Sequence, residues 1–169
     1  METKKKILVV EDEKNIAQVL AFNLMQAGYD YDIAQDGEEG LRKALRGNFD
    51  LILLDMVMPL QNGIETAREI RLNDRQVKII FLTASPEFAV ESYSVKANGY
   101  LLKPIGAEKL YACLDEIVQE MEFSSRTIVV RGVHSAQRIP LDQIEYVKAQ
   151  NKHILFALRG NSRVLTTDP

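Results

Sequence analysis

Four short apolar runs in this sequence each end in a residue that can do chemistry. Ile7 to Val10 is followed by Glu11 and Asp12, Leu51 to Leu54 by Asp55, Ile79 to Leu82 by Thr83, and Tyr100 to Leu102 by Lys103. Any one of these alone reads as a solvated strand end or a cap. If the runs are parallel strands, all four endings meet, because a parallel sheet gathers its carboxyl ends along one edge. That edge then holds three carboxylates, a hydroxyl and an ammonium. Two like charges about 4 Å apart repel by roughly 4 kcal/mol at an effective dielectric of 20, so the carboxylates call for a cation. Hard oxygen donors with room for water suit Mg²⁺. Such an ion would neutralise an incoming phosphoryl group and hold it in line with a carboxylate nucleophile. Asp55 is the expected nucleophile, since it ends the central strand, where a short side chain reaches the crevice. Lys103 is suited to pair with phosphoryl oxygens and Thr83 to hydrogen-bond to one of them.

The elements that must position these residues are visible as periodicity. From Lys6 to Glu122 the apolar runs, which also include Tyr31 to Ala34, alternate with longer amphipathic stretches. Ile16, Val19, Leu20, Leu24 and Ala27 form one helical stripe ended by Gly28; Leu110, Cys113, Leu114, Ile117, Val118 and Met121 form another. Asp36-Gly37-Glu38 opens a helix that Gly47 closes, and Asn62-Gly63 opens the next. The expectation is α/β: a doubly wound, five-stranded parallel sheet of flavodoxin-like order 2-1-3-4-5, covered by five helices. Continuous apolarity marks three central strands, and the more polar Tyr29 to Asp32 reads as an edge.

Composition bounds the remainder. The 169 residues are 46% apolar, enough for one well-cored domain and a smaller appendage. Residues 1–124 carry 14 Lys and Arg against 21 Asp and Glu, a balance of −7, whereas residues 125–169 carry 7 against 3, a balance of +4. The asymmetry suggests two jobs, the second involving a polyanion. One cysteine, Cys113, excludes an internal disulfide, fits a reducing cytosol and is expected to pack. Lys4, Lys5 and Lys6 precede apolar residues, but Ile7 to Val10 is too short for a membrane span or a signal segment. A cytoplasmic protein without membrane contact is expected.

The motifs then resemble a known family. Ile-Leu-Val-Val-Glu11-Asp12-Glu13, Asp55-Met-Val-Met-Pro59 followed by Gly63, Thr83-Ala84, and Gly99-Tyr100-Leu-Leu-Lys103-Pro104 stand in the order of the response-regulator receiver motifs, over about residues 4–122. The resemblance implies that Asp55 accepts a phosphoryl group from a sensor histidine kinase. It implies Asp12, Asp55 and the Val57 backbone carbonyl as direct Mg²⁺ ligands, with Glu11 acting mainly through water. It makes Thr83 and Lys103 the residues that respond to phosphorylation, and Tyr100 the aromatic switch that turns inward when Thr83 moves. Lys103-Pro104 is often cis in the family. The family's fast-hydrolysing members carry a polar side chain two residues after the aspartate. Val57 stands there, so a long-lived phosphorylated form is implied, as is a phosphorylation-dependent homodimer.

Residues 123–126 read as a hinge, and residues 127–169 as a β segment, with Thr127 to Arg131, Ile144 to Ala149 and His153 to Leu158 as strands. The stretch from Arg138 to Phe156 resembles the start of a LytTR-type DNA-binding domain, covering about the first half of that all-β module. His153 matches a base-contacting position of that family, and Lys152 and Arg159 are candidates for phosphate contacts. Half a module supplies few base-reading side chains, so DNA binding by this chain is expected to be weak and salt-sensitive. Up to Pro59 the receiver part looks like those joined to winged-helix domains, whereas Pro86 to Pro104 looks like LytTR-type receivers.

Three other readings compete. A phosphatase of the haloacid-dehalogenase kind needs a second Asp two residues after the first, where Val57 stands. A nucleotide or flavin binder needs a phosphate-cradling loop after the first strand, where Glu11-Asp12-Glu13 would repel phosphate. The runner-up is a receiver acting purely through protein contacts, with a non-functional tail remnant. The expectation is a phosphoacceptor signalling protein that controls transcription rather than an enzyme.

Overall fold

The computed structural model describes residues 4–131, 136–150 and 153–166. The chain divides into two compact units, residues 1–114 and 115–169.

The first unit is built on five strands, β1 (Lys6–Val10), β2 (Asp30–Ala34), β3 (Leu51–Asp55), β4 (Lys78–Thr83) and β5 (Gly99–Leu102), in the order β2-β1-β3-β4-β5. Every pairing is parallel. The expected order and strand set are therefore found. Where the sequence is continuously apolar the strands are buried on both faces: all five residues of β3 are buried, while β2 at the edge is exposed over its first two.

Four helices connect the strands and a fifth follows them: α1 (Lys14–Gln26), α2 (Gly37–Arg46), α3 (Gly63–Asn73), α4 (Ala89–Ser92) and α5 (Ala107–Ser125). Alternation along the strands serves two layers. Leu8, Val10, Ile52, Leu54, Ile79 and Phe81 join Ile64, Ala67 and Ile70 of α3, with Leu41 and Ala44 of α2 packed against them. On the other face Tyr111 of α5 donates its hydroxyl hydrogen bond to Asn23 of α1, so these two helices share a layer. Two helix starts carry the expected caps. Asp36 accepts from the Glu39 amide, and Asn62 and Glu65 form a reciprocal capping box.

Two helices differ from the sequence reading. In α1 the buried residues are Ala17, Leu20, Ala21 and Leu24, while Val19 is 55% exposed. Small alanines let the helix lie close to the sheet, and this outweighs the larger apolar surface of Val19. The fourth helix is a single α-turn flanked by 3₁₀ turns at Pro86–Phe88 and Tyr93–Val95. It ends at Ser92, and Tyr93 and Ser94 of the following turn give little apolar periodicity to extend a helix. α5 continues to Ser125, so three of the four residues read as a hinge are helical.

In the second unit the expected β character is found as β6 (Thr127–Arg131), β7 (Ala136–Pro140), β8 (Ile144–Gln150), β9 (His153–Leu158) and β10 (Ser162–Leu165). β6 and β7 form one antiparallel pair, and β8, β9 and β10 a three-stranded antiparallel sheet. Val130, Ile139 and Leu158 form a small core, with Ile128, Ile144, Phe156 and Val164 against it. No described helix is long and apolar enough to cross a membrane.

Candidate functional site

The carboxyl ends of β1, β3, β4 and β5 bring their terminal residues to one edge. Glu11 follows β1, Asp55 ends β3, Thr83 ends β4 and Lys103 follows β5. Three of them are buried and Lys103 is partly so: Glu11 and Thr83 have no exposed surface, Asp55 is 3% exposed and the Lys103 side chain 15%. Lys103 Nζ lies 2.8 Å from Glu11 Oε2 and 3.0 Å from Asp55 Oδ2, bridging two carboxylates that would otherwise repel. The Val57 amide donates to Asp55 Oδ1 at 3.3 Å. The Lys103-Pro104 bond is cis.

The loop after β3 is set by Gly63, the first residue of α3. Its amide donates to the Met56 carbonyl at 3.0 Å. A Cβ there would fall 2.2 Å from the Asp55 carbonyl oxygen. The helix can come this close to the aspartate's backbone only because the residue is glycine. Gly63 was legible as part of a motif, but its pressing on Asp55 itself was not.

Burial without water dominates the site's electrostatics. It pushes the Glu11 carboxyl up to about 7, with the Lys103 ammonium pulling the other way and the Asp55 charge adding to the rise. Asp55 is raised by the same loss of water, against the pull of Lys103. Burial opposes the charge of Lys103, yet Glu11 and Asp55 outweigh it and raise its pKa. The site thus holds more negative charge than its single ammonium balances.

Glu11, Asp12 and Asp55 each offer a carboxylate oxygen within 4.8 Å of the others. Ligands of one Mg²⁺ at about 2.1 Å lie at most about 4.2 Å apart, so a shift of a few tenths of an ångström, or one intervening water, completes a shared site. Buried Glu11 Oε2 has its charged contact with Lys103 but no aligned hydrogen bond. A hard, oxygen-seeking cation fits that donor set.

Of the expected switch residues, Lys103 is part of this cluster, whereas the Thr83 hydroxyl is hydrogen-bonded to the next turn. Thr83 Oγ1 donates to the Ser85 carbonyl at 3.0 Å and accepts from the Ser85 amide at 3.1 Å. Tyr100 is 47% exposed on β5, and the Val57 side chain is 61% exposed. In the second unit the structure separates the DNA candidates. His153 opens β9 and Arg159 follows its end, six residues on, about 20 Å apart at strand rise. The His153 ring donates through Nδ1 to the Thr166 carbonyl at 2.7 Å, which makes Nε2 the acceptor nitrogen. Lys152 lies outside the described residues.

Comparison with known proteins agrees with this arrangement. Residues 7–115 match the family described as response regulator receiver domain. Among curated proteins, the response regulator ArlR of Staphylococcus saprophyticus is 43% identical over 129 residues, covering 76% of this chain and 58% of the relative. The alkaline phosphatase synthesis transcriptional regulatory protein PhoP of Bacillus subtilis is 31% identical over 97% of this chain and 76% of its own length. The chain thus spans about half to three quarters of such relatives. Among solved structures, the chemotaxis protein CheY4 of Vibrio cholerae superposes with a TM-score of 0.65 at 35% identity, over 68% of this chain and 99% of that one. The response regulator TrrA of Thermotoga maritima, solved in complex with Mg²⁺ and beryllofluoride, gives 0.63 at 39% identity over 67% and 98%. Buried acidic edge, sheet order and matched sequence coincide over one stretch, and the chain belongs to the response regulator receiver domain family.

Proposed function

We propose that this chain is the phosphoacceptor of a two-component system, taking a phosphoryl group from a sensor histidine kinase onto Asp55 and so controlling transcription. The observation that carries the reading is the meeting of Glu11, Asp12 and Asp55 within 4.8 Å beneath the Lys103 ammonium. Mg²⁺, when bound by Asp12, Asp55 and the Val57 carbonyl with Glu11 beside them, supplies charge neutralisation at the phosphoryl oxygens. An Asp55 carboxylate oxygen forms the new O–P bond as the donor's P–N bond breaks, and the donor nitrogen keeps the electron pair. Lys103 exchanges its Asp55 contact for a phosphoryl oxygen. Thr83 leaves Ser85 to hydrogen-bond to another, and Tyr100 turns into the space so opened.

These movements change the α4–β5–α5 surface and favour a homodimer, to the extent that phosphorylation prefers one of two states. The receiver spans 4–122, the connection 123–126, and the LytTR-like segment 127–169. The all-β build of the latter supports that reading, as does its motif from Arg138 to Phe156. DNA contact by the segment rests on its balance of +4, with His153, Lys152 and Arg159 as candidates, and is weak. The place of action is the cytoplasm, where a kinase's phosphoryl donor is available.

Mass spectrometry after exposure to a small phosphodonor and Mg²⁺ tests the central step. Wild type gains one phosphoryl group on Asp55 and Asp55→Asn gains none; equal labelling of both removes the assignment.

A further inference from the structure

A groove of about 530 Å³ in the first unit lies away from the Asp55 edge. It runs between the end of α3 with its following loop and the turn before β5, at the amino ends of β4 and β5. Arg68, Arg71, Arg75 and Lys96 line it, against one acidic residue, Glu69. Glu69 accepts from Gln61 Nε2 at 3.0 Å. The nearby Asp74 carboxylate is taken up by the Gln76 and Val77 amides at 2.8 and 2.9 Å. Four cations thus gather against two carboxylates, Glu69 in the lining and Asp74 beside Arg71, on a part of the chain whose overall balance is −7.

Arg71 builds the groove. Its guanidinium donates to the carbonyls of Val95 (3.0 Å), Val77 (2.7 Å), Asp74 (3.3 Å) and Lys96 (3.3 Å). These bonds satisfy its donors and leave its charge. They also pin the Lys96 backbone in the left-handed region, at φ 52° and ψ 51°, which is costly for a residue with a Cβ. Among the described residues Arg68, Arg75 and Lys96 have no ion-pair partner. Between them Leu72 is 82% exposed, beside buried Val95.

We propose that this groove docks an acidic peptide segment of a partner protein, an apolar side chain resting on Leu72 and carboxylates pairing with Arg68, Arg75 and Lys96. Charge complementarity selects the occupant. A free phosphate is far smaller than the groove and leaves Leu72 wet. A nucleic acid backbone has no apolar side chain to place on Leu72. An open groove with an exposed leucine encloses a small molecule poorly, whereas a peptide covers it. The partner would therefore engage a surface separate from the phosphoacceptor edge.

The test uses the full chain and two fluorescein-labelled probes, the heptapeptide EELEEFE and its neutral counterpart QQLQQFQ, in anisotropy titrations at low salt. The acidic probe should bind about tenfold or more tightly than the neutral one, and weaken as salt rises. Arg68→Glu/Arg75→Glu should weaken it about tenfold, and Leu72→Ser by several-fold. Arg42→Glu/Arg46→Glu, which removes the same charge from α2, should leave it unchanged. All these side chains are exposed, and circular dichroism checks that each variant folds. Amide shifts on adding the probe should cluster at residues 68–75 and 94–97. The proposal falls if the acidic probe does not bind, if both double variants lose affinity equally, if the shifts lie elsewhere, or if a duplex DNA displaces the probe from these amides.

Discussion

Replacing Gly63 by alanine tests whether α3 is braced against the phosphoacceptor's own backbone. The new Cβ would lie 2.2 Å from the Asp55 carbonyl oxygen and 2.9 Å from Met56 Cα, both backbone atoms held in the sheet edge. Relief needs a retreat of about 1 Å or slightly more, since ordinary contacts begin at 3.4 Å. That retreat stretches the Gly63 N–H bond to Met56, now 3.0 Å, beyond hydrogen-bonding range. Overpacking costs about 1–3 kcal/mol and the lost bond about 1 kcal/mol. The stiffer unfolded chain returns about 0.4–1 kcal/mol. The net is a loss of about 2 kcal/mol, or a urea midpoint lower by about 1 M. The chain has no tryptophan, so the probe is helical circular dichroism, which reports the helices of residues 14–125. Gly106→Ala is the control, because a Cβ there meets nothing within 4 Å; it should stay within about 1 kcal/mol of wild type. Labelling of Asp55 should slow in Gly63→Ala by up to about a hundredfold if the carboxylate moves with its backbone. Equal urea midpoints for the two alanine variants would refute the bracing.

Three further outcomes are expected. Val57→Asn places a hydrogen-bonding side chain near the phosphoryl group and should shorten the half-life of phospho-Asp55 several-fold; a gel assay of phosphorylated protein over time checks it. Mg²⁺ should raise the Tm of wild type, because an ion that binds only the folded carboxylate cluster stabilises it by mass action, and Asp12→Asn should abolish the rise in differential scanning calorimetry. Asp32 is the acid-side test. Burial raises its pKa, but Lys43 at 2.9 Å outweighs that and the net shift is downward. Its contribution is therefore present above the unfolded value near about 3.9 and disappears as pH falls through the lower folded value. The side chain is half-exposed, so the effect is below about 1 kcal/mol, and urea midpoints of Asp32→Asn and wild type should differ at pH 6 and converge toward pH 3.

The chemistry of the site was readable from the sequence because it rests on strand periodicity. A buried parallel strand is a continuous apolar run, its carboxyl end is where the run stops, and topology brings those ends together. Glu11, Asp12, Asp55 and Lys103 could therefore be grouped across 92 residues of sequence. Caps at Asp36 and Asn62 were readable for the same local reason. What only the tertiary structure decided are the contacts that no period encodes. Ala17 and Ala21, rather than Val19, face the sheet because close approach favours small residues. Arg71 looks like any helical surface arginine until Val95 and Lys96, 24 and 25 residues away, offer it their carbonyls. Gly63 reads as a helix opener, and its contact with Asp55 appears only when α3 folds back over the end of β3. His153 and Arg159, close in sequence, end up at opposite ends of β9, because an extended strand spends every residue on distance.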